Sequence, residues 1–157
     1  MMHYLRGTKE LTLILSANSK NIVKWWVDRS YGIHPYARSQ TGGTASFGKG
    51  SFMSTSIKQR LNIRSSTETE LVAADDLMPH IYWTNYFLEC QGYNVYSTIM
   101  YQDNKSAILP KNNRRASSYK RTKHLNIRYF FITDRIKKGD LHIEYCLTDN
   151  MVADFFT

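Results

Sequence analysis

Apolar positions in the first third of the chain come in short runs, and further on they recur at helical spacing. Residues 2–9 (MHYLRGTK) predict a short helix stopping at Gly7. Residues 11–15 (LTLIL) and 21–28 (NIVKWWVD) read as strands, parted by the turn formers Ala17, Asn18 and Ser19. Residues 29–43 (RSYGIHPYARSQTGG) read as a loop ending in Gly42 and Gly43. Residues 44–56 suit two strands turning near Gly48, Lys49 and Gly50, which completes a β-meander.

The pattern then becomes helical. Ser65 followed by Glu68 has the form of a capping box. Leu71, Ala74, Leu77, Met78, Ile81, Phe87 and Leu88 continue at helical spacing. Pro79 is expected to bend or divide this helix, and Gly92 to end it. Residues 97–101 predict a strand leading into Asp103, and a short helix is expected from Asn104 to near Pro110. A polar, basic loop follows through Ser118. Leu125, Ile127, Phe131, Ile132 and Ile136 predict another helix ending at Gly139. Residues 141–146 read as a last strand and 150–157 as the start of a helix. A run of strands, then helix, strand, helices, strand and helix, argues for a mixed sheet with helices packed on it. Asp28 and Asp103 would both lie at strand ends, where such sheets display their sites.

The chain has 157 residues, enough for one domain, and carries 21 Lys and Arg against 13 Asp and Glu, a net charge of +8. That balance predicts attraction to polyanions. Cys90 and Cys146 have no metal-ligand spacing and imply no disulfide framework, so reduced thiols and an intracellular location are expected. No apolar stretch approaches a membrane span, and the N-terminal residues do not form a secretory signal.

Against this basic background four acids stand at spaced points: Asp28, Glu70, Asp103 and Asp154. Each has an ordinary alternative. Asp28 could be a turn residue, Glu68 and Glu70 could complement a helix N-terminus, and Asp103 could cap the next helix. As a set they suit divalent cations, which need several hard oxygen ligands and neutralise them.

The stretches SSTETELVAA, YQDNKSAIL, RTKHLNIRYFFI with the following GDLHIEYC, and VADFFT occur in that order. RSQTGG after the first acid fits the same pattern. Together they resemble the ribonuclease H domain of copia-type LTR retrotransposon Pol polyproteins. MHYLRGTKEL resembles the connection that follows a reverse transcriptase, so the likeness spans essentially the whole chain. The resemblance implies an α/β fold, a ribonuclease H-like mixed five-stranded sheet with flanking helices. Residues 1–20 would be the end of the connection to a reverse transcriptase and a first short strand. Residues 21–157 would be the ribonuclease H-like domain, truncated in its last helix.

Carried over residue by residue, Asp28 matches the first-strand acid between two metal ions. Glu70 matches the helix glutamate, in preference to Glu68 two residues back on a different helix face. Asp103 matches the acid at the end of the fourth strand, and Asp154 the acid of the last helix. The implied cofactor is a pair of Mg²⁺ ions, with Mn²⁺ as a substitute. The implied reaction is endonucleolytic hydrolysis of the RNA strand of RNA/DNA hybrids during reverse transcription, leaving 5′-phosphate and 3′-hydroxyl ends. The implied partners are the hybrid and a fused reverse transcriptase, in a cytoplasmic particle or the nucleus and with no membrane. The alternative reading is a catalytically decayed nucleic-acid-binding remnant of the same fold.

Two features depart from the family pattern. VDRSYG stands where a second acid commonly follows the first, and alternation predicts that Arg29 points away from Asp28's site. The chain also runs only three residues past Asp154, so that acid is expected to be loosely held. No histidine precedes the final acid in CLTDNMV. Residues 111–138 hold ten of the 21 basic residues and are the expected grip on phosphates. Arg115, Lys120, Arg121 and Lys123 are the chosen contacts. His124 is a phosphate contact or a helix-start group, and Asn104 is a candidate for 2′-hydroxyl recognition.

Overall fold

Alternation along residues 22–28 sends Val23, Trp25 and Val27 to one side of their strand, and all three are fully buried. The computed structural model describes residues 2–18, 21–60, 66–104 and 123–157. Its strands are β1 (Ser16–Ala17), β2 (Ile22–His34), β3 (Arg38–Ser46), β4 (Gly48–Lys49), β5 (Met53–Lys58), β6 (Ser97–Gln102) and β7 (His142–Tyr145). Five of them form a mixed sheet in the order β5-β3-β2-β6-β7, and β1 pairs with β4 in a small separate ladder. β3 is antiparallel to β2 and β5, while β6 is parallel to β2 and β7.

The helices are α1 (Met2–Gly7), α2 (Ser66–Cys90) and α3 (Lys123–Lys138). Leu77, Met78 and Ile81 of α2 join Val23, Trp25, Val27, Ala45 and Met100 of the sheet in the main core. Pro79 lies inside α2, which continues past it undivided. Burial on both sides of the proline, at Leu77, Met78 and Ile81, outweighs the local cost of a missing N–H. α2 ends in a Schellman turn: Tyr93 N–H donates to Leu88 O, Gly92 N–H to Glu89 O, and Gly92 takes a φ of +85°. α3 packs beside α2 through buried Ile132, and Arg128 forms ion pairs with Asp75 and Asp76.

The expected loop over residues 29–43 is instead the outer half of a long hairpin. β2 continues to His34, and β3 returns from Arg38 after a tight turn at Pro35–Ala37. Asp28 therefore lies within a strand and not at its end. Gly42 and Gly43, which suggested a loop, are strand residues chosen for closeness. A Cβ on Gly43 would sit 2.7 Å from a Leu77 methyl, and one on Gly42 would sit 2.6 Å from the carbonyl oxygen of Ala153. The two neighbours thus report two layers, with α2 on one face and the C-terminal segment on the other.

That segment consists of two 3₁₀ turns, Thr148–Asn150 and Val152–Phe156, in place of the expected α-helical start. Ser56 Oγ donates to Phe156 O at 2.6 Å, which ties the segment to the sheet edge. The expected strand at residues 11–15 is absent; Leu11, Leu13, Ile14 and Leu15 are exposed and have no regular structure. Apolar composition alone, without ladder pairing, does not make a strand. The expected short helix after Asn104 and the basic loop through Ser118 lie outside the described residues. No described helix is long and apolar enough to cross a membrane.

Candidate active site

The parallel pairing of β2 with β6 runs from Ile22–Ser97 to Trp26–Tyr101 and goes no further. Asp28 and Asp103 each lie two residues beyond that last pair, side by side in register. The Trp26 and Tyr101 rings stack just before them, with centroids 5.3 Å apart. Where the two strands part, groups from both faces of the sheet can approach one another. At Asp28 the antiparallel pairing with β3 continues, while the parallel pairing with β6 has ended.

Asp28 faces the C-terminal segment. Its ladder partner on β3 is Gly42, over which Ala153, Phe156 and Thr157 pack. Burial pushes its carboxyl up to about 6, while hydrogen bonding from the Arg29 backbone and the Thr157 hydroxyl pulls the other way. The charges of Asp154 and Asp103 raise it further. Asp154 itself is exposed on the Val152–Phe156 turn. The loosely held terminus expected from the sequence is thus a packed one.

Glu70 comes from the first turns of α2, on the opposite layer, and is only 2% exposed. Arg29 Nε donates to its Oε1 at 2.8 Å. Its Oε2 is buried and has no hydrogen-bond partner among the described residues. Burial pushes this carboxyl up to about 7 despite the Arg29 guanidinium, and the charges of Asp103 and Asp28 add to the rise. Glu68 is half-buried two residues back. Buried Gln59 braces this end of α2 by donating to Thr41 Oγ1 at 2.9 Å and to Thr69 O at 3.4 Å.

The charges of Asp154 and Asp103 thus reach Asp28, and those of Asp103 and Asp28 reach Glu70. The four acids do not form a closed cage: among the described residues, no three His, Cys, Asp or Glu side chains are grouped to hold a metal ion. The donor chemistry nonetheless fits a hard divalent cation. Every candidate is a carboxylate, Glu70 carries an orphaned buried oxygen, and the raised carboxyls are those that a nearby cation would return to the ionised form.

Arg29 is the neighbour of Glu70 that sequence reasoning missed. It does lie on the face opposite Asp28, as alternation requires, but that face is the one α2 covers, and there it meets Glu70. The usable signal was the phase of Val23, Trp25 and Val27, which assigns residue 29 to the helix side. Of the expected nucleic-acid contacts, His124 is exposed in the first turn of α3, Lys123 begins that helix, and Asn104 is half-buried just past Asp103. Arg115, Lys120 and Arg121 lie outside the described residues.

The raised carboxyls make a stability prediction. A carboxyl whose pKa is higher folded than unfolded contributes stability below its unfolded value, and that contribution is lost as pH rises through the folded value. The cation-free protein should lose melting temperature between about pH 4 and pH 7 as Asp28 and Glu70 ionise. Millimolar Mg²⁺ should restore it at pH 7.5 and have little effect at pH 4.5. Thermal melts across pH, with and without the ion, check both halves; a midpoint that climbs steadily from pH 4 to 7 counts against this electrostatic arrangement.

The strand order, the mixed pairing and the flanking helices define a ribonuclease H-like fold. The LC11 RNase H1, isolated from compost and solved in complex with an RNA/DNA hybrid, superposes with a TM-score of 0.58 at 10% identity. That match covers 85% of this chain and 92% of the other. RNase H1 of Halobacterium salinarum gives a TM-score of 0.52 at 12% identity, covering 86% and 93%. At these identities the likeness establishes the fold. No family model matches the chain. In sequence, the chain is 30% identical over 159 residues to the retrovirus-related Pol polyprotein from transposon TNT 1-94 of Nicotiana tabacum. The match takes in all of this chain and 12% of the length of that relative. The copia-type resemblance read from the motifs is thereby borne out.

Proposed function

We propose that this chain is the ribonuclease H part of a retrotransposon Pol polyprotein and hydrolyses the RNA strand of RNA/DNA hybrids as an endonuclease. The observation that carries the reading is the placement of Asp28 and Asp103 side by side where β2 and β6 part, with buried Glu70 and the Asp154 segment brought in from opposite layers. The fold shared with a hybrid-bound ribonuclease H and the sequence likeness to a transposon Pol polyprotein support it. In this reading residues 21–157 are the nuclease domain and residues 1–20 the end of a connection to a reverse transcriptase.

Asp28, Glu70, Asp103 and Asp154 would hold two Mg²⁺ ions, for which Mn²⁺ could substitute. When bound, such a pair supplies Lewis acidity that activates water and offsets the charge developing on a phosphodiester. The chain's own contribution is to keep Asp28 and Glu70 ionisable but poorly solvated, so that cations and a phosphate can compensate their charge. Arg115, Lys120, Arg121, Lys123 and His124 would contact phosphates, and Asn104, just past Asp103, would contact a ribose hydroxyl.

The absence of a closed ligand cage among the described residues favours a second reading, a remnant that binds hybrids without cutting them. One experiment separates the two. With Mg²⁺ and a labelled hybrid, the protein should release 5′-phosphate fragments from the RNA strand, and Asp103→Asn should lose the activity by about a thousandfold while still binding the hybrid. Retained binding with no cleavage by the unaltered protein would establish the remnant instead.

A further inference from the structure

Arg29 is paired with one of the proposed metal ligands, Glu70. Its Nε is 2.8 Å from Glu70 Oε1, and the two side chains are only 14% and 3% exposed. A charge-assisted bond so poorly solvated is among the stronger hydrogen bonds a protein makes. Arg29 cannot drift from it easily. Its backbone is fixed in the β2–β3 ladder opposite Thr41, and its guanidinium lies 5.8 Å from the centroid of the Tyr31 ring. The other Glu70 oxygen is buried without a hydrogen-bond partner among the described residues, so the carboxylate has one engaged oxygen and one left over.

Resting on the proposed metal-dependent reading, we infer that Arg29 is a positioning residue that restricts Glu70 to one available oxygen and holds down the affinity of the site for divalent cations. A cation approaching Oε2 meets a fixed guanidinium on the same carboxylate, and two-oxygen ligation by Glu70 requires that bond to break. Asp28 is the adjacent residue and faces the other layer, so a single dipeptide governs two of the four acids from opposite sides of the sheet.

The test is Mn²⁺ titration by calorimetry on the unaltered protein, Arg29→Gln, Glu70→Gln, Asp103→Asn and the Arg29→Gln/Glu70→Gln pair, with thermal melts alongside. Glutamine keeps a donor for Oε1 and removes the charge, so the fold is retained. Arg29→Gln should bind Mn²⁺ roughly tenfold or more tightly, and the gain should vanish when Glu70 is also replaced. A purely structural ion pair would lower the melting temperature and leave Mn²⁺ affinity where it was; that result overturns the inference while leaving the metal site standing, provided Asp103→Asn weakens binding. Mn²⁺ affinity indifferent to both Glu70→Gln and Asp103→Asn would instead overturn the metal site, and the role of Arg29 with it.

Discussion

Asp28→Asn is expected to abolish hydrolysis while raising the stability of the cation-free protein at neutral pH. The change keeps the shape of the side chain and removes the charge. In the native protein that charge is buried on β2, beside Asp103 and Asp154, and its carboxyl is pushed up to about 6. Keeping it ionised at pH 7 therefore opposes folding, and its removal should stabilise by on the order of 1–3 kcal/mol. The loss in turnover should be about a thousandfold or more, since a positioned charge at a phosphoryl centre has no neutral substitute. Melting curves at pH 7 and hybrid cleavage rates on one preparation test the pair of effects. An Asp28→Asn protein that melts lower than the parent would make the acid a fold-holding group and end its assignment to the site.

The second large effect comes from a residue with no side chain. A Cβ at Gly42 would lie 2.6 Å from the Ala153 carbonyl and 2.6 Å from Thr157 Cγ2, so Gly42→Ala has to displace the turn that carries Asp154. The expected cost in stability is about 1–3 kcal/mol, as for other overpacked positions. A misplacement on the scale of an ångström at a reacting centre reaches about a hundredfold in rate. Gly43→Ala is the control: it meets Leu77 and Thr55 on the other face, and so strains the core without touching Asp154. Hydrogen exchange of residues 152–157 should quicken in Gly42→Ala and not in Gly43→Ala. Equal exchange in both, with equal rates of cleavage, would show that the terminal turn does not place the last acid.

The order Asp28, Glu70, Asp103, Asp154 was legible because each acid sits in a short local pattern that survives without tertiary knowledge. The β-meander, the long helix and the strands at β6 and β7 were legible from periodicity. The outer half of the β2–β3 hairpin was not. Its buried positions on β3 are Ser39, Thr41, Gly42, Gly43 and Thr44, small and polar residues whose burial depends on close layers above and below. Propensity scores such a run as loop, and only the approach of Leu77 and Ala153 makes it strand. Residues 11–15 fail in the opposite sense, since their apolar character promised a strand and they pair with none. The Arg29–Glu70 contact could not be read from either residue alone, because it depends on α2 crossing β2 at that height.

Each of the four acids comes from a different element, and the sheet that unites them pairs strands far apart along the chain. Such assemblies close late, after the slow non-local pairings are in place. During synthesis Asp154 is the last of the four to emerge, and it finds its seat over Gly42 only once β3 is already zipped between β2 and β5. On the proposed reading, a nascent polypeptide that has not yet released residues 152–157 would hold three of the four acids without the last.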